Sequence, residues 1–247
     1  MDSERDPVVA RGDSLAAAAA VLALGVVLAA LVFGVFFARS RAPRDTIQVT
    51  GAATRPFESD ILKWRLVLAR PVPTGELAAG YAALGRDLAD VRGRLEGSGI
   101  AFEDVGVQPI NAYPNFDQFG NRVGYNLNQS FYVISRDVER LEGLALNPGE
   151  LIEGGVVLES SQLEYFYSRL DSLKHDLLAS ATADAQRRAE EIAGGTGLGI
   201  DRIVAARAGV FQITEPFSTE VSDFGVHNTA TRRKEITITV HATFEME

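Results

Sequence analysis

Glu235-Ile236-Thr237-Ile238-Thr239-Val240-His241-Ala242-Thr243-Phe244 (EITITVHATF) alternates apolar and polar side chains without a break. Ile236, Ile238, Val240, Ala242 and Phe244 face one way, and Thr237, Thr239, His241 and Thr243 face the other. A period of two belongs to a strand with one face on a core and one face open. Thr46 to Gly51 (TIQVTG) alternates in the same way, with Ile47 and Val49 on one face. In Ser59 to Arg70 (SDILKWRLVLAR), Leu62, Trp64, Leu66 and Leu68 alternate with Lys63, Arg65 and Val67. Pro71 and Pro73 end that strand, because proline has no N–H for a ladder.

Between the strands the period lengthens. Thr74 is a candidate N-cap for a helix whose stripe is Leu77, Tyr81, Leu84, Leu88, Val91 and Leu95, with Gly97-Ser98-Gly99 as its stop. Val105 to Tyr113 and Val123 to Ser135 read as a hairpin around the turn-forming run Pro114 to Asn121. Asn126, Asn128 and Ser130 alternate with Leu127, Gln129 and Phe131, so the two faces of that second strand change character along its length. Asp137 can cap a short helix carrying Val138, Leu141 and Leu144, broken by Asn147-Pro148-Gly149. Gly155 to Ser168 is a strand region with a bulge at Glu159-Ser160-Ser161. The longest soluble helix runs near Arg169 to Ala193. Its repeat is Leu170, Leu173, Leu177, Ala181, Ala185, Arg188 and Ile192, widened by Leu178 and Ala189. Ile203 to Ile213 is the next strand, and Thr214 to Arg233 is a polar loop with little pattern. The order β-β-α-β-β-α-β-α-β-β predicts an α+β fold, with helices packed on a largely antiparallel sheet.

Leu15 to Ala38 holds no charged or strongly polar side chain over 24 residues. As a helix it spans about 36 Å, more than the ~30 Å hydrocarbon core of a bilayer. A secretory h-region is shorter. The best cleavage site, Ser40-Arg41-Ala42, is followed by the unfavourable Pro43, so we expect a retained transmembrane helix. The expected organisation is a short polar tail (1–14), the transmembrane helix (15–38), a linker (39–45) and one domain (46–247). Arg5 and Arg11 precede the helix while Arg39, Arg41 and Arg44 follow it. That difference of one charge leans towards a cytoplasmic C-terminal domain, but long domains translocate largely regardless of flanking charge. Gly25 and Ala29, and Ala30, Gly34 and Ala38, are spaced by four, as in helices that pack closely in lipid. Chance in an alanine-rich span produces the same spacing.

The chain carries a net charge of -9 and no cysteine. Four of its 33 acidic and five of its 24 basic residues precede Asp45, which leaves 29 and 19 in the domain. Such an acidic domain does not suit a nucleic-acid partner, which would need a basic face. Without cysteine there is no disulfide framework, thiolate nucleophile, zinc–thiolate site or iron–sulfur cluster.

The segments in order are IQVTG after an apolar N-terminal run, then GIAFEDVGVQPINAYPNFD, YNLNQSFYVISRDVERL and GGVVLESSQLE. A helix with A-x-A-x-x-R-A-E-E-I-A follows, then GTGLGIDRIVAA and EITITVHATFEM. Together they resemble the SIMPL domain family, also called domain of unknown function 541, over Thr46 to Glu247. The resemblance implies an extracytoplasmic bacterial protein, periplasmic or membrane-anchored; with the apolar helix retained, we expect a single-pass protein of the inner membrane with its C-terminal domain in the periplasm. It implies a family some of whose members form large ring-like oligomers, and an association with envelope or oxidative stress. It brings no catalytic residues.

Nothing else assembles a site for chemistry. His175, His227 and His241 lack ligand spacing, and we expect no metal and no cofactor. Asn115, Asp117 and Asn121 lack the ligand alternation of a calcium loop. Glu150, Glu153, Glu190 and Glu191 define no acid–base pair, and Gly194, Gly195, Gly197 and Gly199 follow a helix instead of opening one. Arg232-Arg233-Lys234 reads as a solvated charge run, with anionic lipid or an acidic partner surface as the sharper reading. Phe116, Phe119, Tyr113 and Tyr125 are candidate oligomer-interface residues, or a local cluster that folds back. Gly25, Ala29, Ala30 and Gly34 are candidate helix-packing residues. The expected function is a non-enzymatic, membrane-anchored protein whose partners are itself and the bilayer. The alternative is a periplasmic ligand- or client-binding module with an apolar cleft between its two halves.

Overall fold

The computed structural model of the chain describes residues 10–40, 45–101, 103–151 and 157–247. Its first element is the apolar helix α1 (Ala10–Ser40), longer than the apolar run itself. The stretch Ala17–Phe37 is long and apolar enough to cross a membrane and is nowhere buried in the protein. The cleavage candidate at Arg41-Ala42-Pro43, the charges Arg5 and Arg44, and Glu153 lie outside the described residues.

The domain is an α+β arrangement of two antiparallel sheets. In the first, β1 (Thr46–Glu58) and β7 (Ile200–Ala208) flank the central β9 (Arg233–Met246), and β8 (Gln212–Thr214) pairs with the start of β9. Helix α4 (Leu170–Gly194) covers one face of this sheet. The second sheet has the order β3 (Asp104–Val107), β5 (Arg122–Ser135), β2 (Ile61–Pro73), β6 (Val157–Phe166), with β4 (Asn111–Phe116) also on β5. Helices α2 (Leu77–Gly97) and α3 (Val138–Leu146) lie on one side of it. The second sheet is thus an insertion between β1 and α4.

Strict alternation is why both central strands work. On β9, Ile236, Ile238, Val240, Ala242 and Phe244 are all buried. On β2, Leu62, Trp64, Leu66 and Leu68 are wholly enclosed beside Leu127, Phe131 and Val133 of β5. Burying each such side chain contributes about 1.5–3 kcal/mol before the ordering cost. The bulge in β6 sits at Glu159, between the pairs Val67–Ser160 and Leu68–Leu158.

Several local readings change. β1 does not stop at Gly51; it runs to Glu58, and Pro56 is tolerated there because its missing N–H faces the open edge. Thr74 caps nothing. Its hydroxyl donates to the Arg122 carbonyl at 3.1 Å, and α2 starts after Glu76. Asp137 stands at the start of α3 without a capping bond and meets Arg140 instead, at 3.4 Å. The strand expected over 105–113 is divided around Pro109 into β3 and β4, and that over 203–213 at Gly209 into β7 and β8. A Cβ at Gly209 would lie 2.7 Å from the Thr239 hydroxyl oxygen.

The helix stripes reach the core as expected except at single positions. On α2, Tyr81 is exposed while Gly80 and Asp87 are buried, because Asp87 receives Arg70 of β2 at 2.6 Å. On α4, Arg188 and Ile192 face solvent, and the buried line is Leu173, Leu177, Ala181, Ala185, Ala189 and Ala193. A run of alanines lets the helix backbone rest directly on β1 at Gly51. The helix ends where the glycines begin, with Gly197 at φ +78 and the Leu198 N–H on the Ala193 carbonyl.

Candidate functional site

The β4–β5 hairpin is built around one carboxylate. Asp117 accepts the backbone N–H groups of Phe119 at 2.9 Å and Asn121 at 2.8 Å, and the Asn121 amide at 3.1 Å. Gly120 takes the positive φ, +80, that closes the turn. These bonds, the Asn121 backbone N–H first and its side-chain amide second, hold the Asp117 carboxyl below its ordinary range. They also occupy the oxygens that a calcium ion would need. The fixed turn projects Phe119, 79% exposed, with Phe116 and Tyr113 exposed beside it. Tyr125 is set apart from these three. It packs on the core of the second sheet, with the Arg122 guanidinium 5.2 Å from its ring centre.

A second aromatic projection was not legible in the sequence. The segment after β8 carries Phe217 and Phe224, 94% and 98% exposed, with Val221 exposed between them. Phe217 has φ +64, rare for a bulky residue. Its signal was three large apolar residues in a segment dominated by polar ones.

On α1, Gly25, Ala29, Ala30 and Gly34 are all exposed, and a Cβ at Gly25 or Gly34 would meet nothing within 4 Å. At 3.6 residues per turn, the Gly25/Ala29 pair lies roughly 140° from the Ala30/Gly34 pair. The two pairs belong to different faces.

Two members of the basic run, Arg232 and Lys234, are structural. Arg232 stands between Glu58 at 2.7 Å, Glu139 at 3.2 Å and Glu142 at 3.7 Å, tying the end of β1 to α3. Lys234 is buried and donates from Nζ to the Tyr165 carbonyl at 2.6 Å. The Tyr165 hydroxyl donates to Glu142 at 2.6 Å; burial and then that bond push its pKa upwards. His227, exposed near these groups, is pushed down first by desolvation and then by Lys234 and Lys174. The reading of residues 232–234 as a solvated run is therefore corrected for Arg232 and Lys234, which close the seam between the two sheets, while Arg233 is exposed.

Burial lowers the Lys234 pKa to about 8 from 10.5. The unfolded chain then binds more protons than the folded one between those values, so stability rises with pH across that window. We expect thermal unfolding of the full chain to shift upwards from pH 8 to pH 10, and Lys234→Met to flatten that slope.

Of the other histidines, His175 is exposed on α4 and His241 meets the Thr50 hydroxyl at 2.9 Å across the β1–β9 ladder. Glu190 accepts a bond from Gln186 on its own helix. Among the described residues, no group of three His, Asp or Glu side chains gathers as a metal set. The two larger hollows, about 530 and 440 Å³, are shallow and lie on the open face of the first sheet, around Arg207 and His241. The most apolar one is a crevice of about 10 Å³ beside Leu88, Leu95 and Phe131.

Residues 47–244 match the family model SIMPL, described as a protein of unknown function (DUF541). The chain belongs to the SIMPL family. The match spans both sheets and the seam between them, so the insertion of the second sheet lies within the family's own extent. The family is not a known enzyme family. A comparison with curated proteins finds no match.

Proposed function

We propose that this SIMPL protein is a non-enzymatic scaffold, anchored by α1 in the bacterial inner membrane with its domain in the periplasm, that self-assembles into a homo-oligomer. The observation that carries this reading is the aromatic hairpin, where an Asp117-centred turn holds Phe116 and Phe119 out in water. Large apolar side chains fixed in solvent are characteristic of association surfaces. The separate projection at Phe217 and Phe224 provides a second contact on the same chain, and two distinct contacts allow assemblies larger than a dimer, rings included. A role in envelope or oxidative stress belongs to this proposal.

The cleft-binding alternative has less support, since Arg232 and Lys234 occupy the seam where its apolar pocket would lie. Light scattering of the detergent-solubilised full chain tests the scaffold reading. A discrete oligomer is expected, and Phe116→Ala with Phe119→Ala should weaken association at least tenfold, since an aromatic anchor is worth on the order of 1.4 kcal/mol or more. A monomer at high concentration overturns the reading.

A further inference from the structure

We propose that the open face of the first sheet binds a small hydroxylated oxyanion, of the sugar-phosphate or sugar-acid class, in the two hollows that meet at Arg207 and His241. The site does not depend on self-assembly. Helix α4 covers the other face of this sheet, and directly opposed residues on neighbouring strands share a face. The pairing of β7 with β9 is irregular between Ile200 and Ala205, but it is continuous from Ala205 to Ala208. Arg207 stands opposite His241 there, and His241 stands opposite Thr50 of β1. These three form one row across three strands. Ala205, Thr243 and Gln48 form the next.

Arg207 sets the charge of the ligand. The domain is acidic, yet most of its arginines pair with a carboxylate. Among the described residues, the exposed Arg207 guanidinium has no ion pair and no hydrogen bond. A planar fork of donors without a partner suits the oxygens of a phosphate or carboxylate. Beside it, His241 meets the Thr50 hydroxyl through Nδ1 at 2.9 Å. Its Nε2 has no partner among the described residues.

The surroundings select a body rich in hydroxyl groups. Thr50, Thr243 and Gln48 line the smaller hollow, and Thr237 and Thr239 line the larger. One wall of the larger hollow, Val221 to Asp223, is tied down. The Gln212 amide of β8 donates to the Ser222 carbonyl at 2.8 Å and accepts the Val226 N–H at 2.9 Å. Gly209 keeps space beside Arg207, since a Cβ there would crowd the Thr239 hydroxyl. Asp223 on the tied wall repels a second negative charge and can accept from a hydroxyl. One oxyanion on a polyhydroxylated body satisfies both ends of the hollow, and a polyanion does not.

Isothermal titration of the full chain in detergent, in a low-salt buffer free of phosphate, tests this with glucose 6-phosphate, gluconate, glucose and inorganic phosphate. The hollows are shallow, so a dissociation constant on the order of 1 mM is expected for glucose 6-phosphate, gluconate or both. Comparing those two separates a phosphoryl from a carboxylate ligand. Glucose and inorganic phosphate should each bind at least tenfold more weakly. Arg207→Gln should weaken the anionic sugars at least tenfold and leave thermal unfolding unchanged. Arg233→Gln, which removes an exposed charge at the far end of β9, should leave binding as it is. The proposal is overturned if neither anionic sugar binds, if glucose or inorganic phosphate binds equally well, or if Arg207→Gln binds as before. If Arg207→Gln instead lowers the mass seen by light scattering, a second copy covers this face and the proposal falls. A monomeric chain that still binds through Arg207 removes the self-assembly reading and leaves this site standing.

Discussion

Trp64→Ala is expected to cost about 4 kcal/mol, the range for truncating a buried large aromatic. Trp64 is fully enclosed at the middle of β2, with Val133 of β5 and Leu163 of β6 on either side. Its indole N–H donates to the Ser161 hydroxyl at 2.8 Å, so truncation removes a hydrogen bond as well as the packing. In a domain of this size, each kcal/mol moves Tm by about 2–4 °C, which puts the expected fall near 8–16 °C. Circular dichroism is the readout, because Trp64 is the chain's one tryptophan and the variant has no indole signal. Trp64→Phe keeps most of the buried area and should lose about a third as much. A fall below about 3 °C for the alanine variant would mean that the second sheet's core is not packed around this ring.

Gly51→Val should be of similar severity for a different reason. A Cβ at Gly51 would stand 2.2 Å from the Ala181 carbonyl oxygen and 2.3 Å from the Ala185 nitrogen. These are helix backbone atoms, so no side chain can turn aside. The whole of α4 must lift from β1, and the Ala52–Asp184 bond is lost with it. Overpacking costs about 1–3 kcal/mol where side chains can adjust, and the upper end or more is expected here. Gly93, on α2, is the control: a Cβ there meets nothing within 4 Å, and Gly93→Ala should be neutral or stabilising by up to about 1 kcal/mol. Equal effects at the two glycines would remove the close α4–β1 contact from the account. The two halves meet along the seam, through Arg232, Lys234 and the Tyr165 N–H on the Thr229 carbonyl. Gly51→Val is therefore expected to loosen the first sheet before the second, visible as earlier amide exchange along β9 than along β2.

The strands and helices that carry a strict period were legible from residue order. Ile236 to Phe244 and Leu62 to Leu68 reach the core as the alternation requires. The readings that changed depend on a neighbour. Arg70 reaching Asp87 brings a carboxylate onto the core side of α2, and Gly51 beneath α4 favours small alanines on its buried line, with Ile192 outside it. Pro56 continues a strand because the strand is an outer one, and a single residue does not reveal which strands are outer.

The candidate surfaces divide in the same way. Asn, Asp and Gly between two alternating runs marked the hairpin, and the Phe residues in it marked its tip. Tyr113 and Tyr125 have equal standing as letters, yet one faces water and the other the core. Phe217 and Phe224 lie in a segment without period, where exposure depends on what the rest of the chain leaves uncovered.

Residue order by itself determined the apolar helix, the α+β alternation, the strand faces and membership of the SIMPL family. All of these are local periods or their succession along the chain, set by backbone geometry within a few residues. Only the tertiary structure decided that the second sheet is inserted into the first, that Arg232 and Lys234 close the seam, and that Asp184 and Pro56 block the outer edge of β1. Each of those depends on groups brought together from distant positions, where burial and hydrogen-bond partners are properties of the packed chain and not of any segment in it.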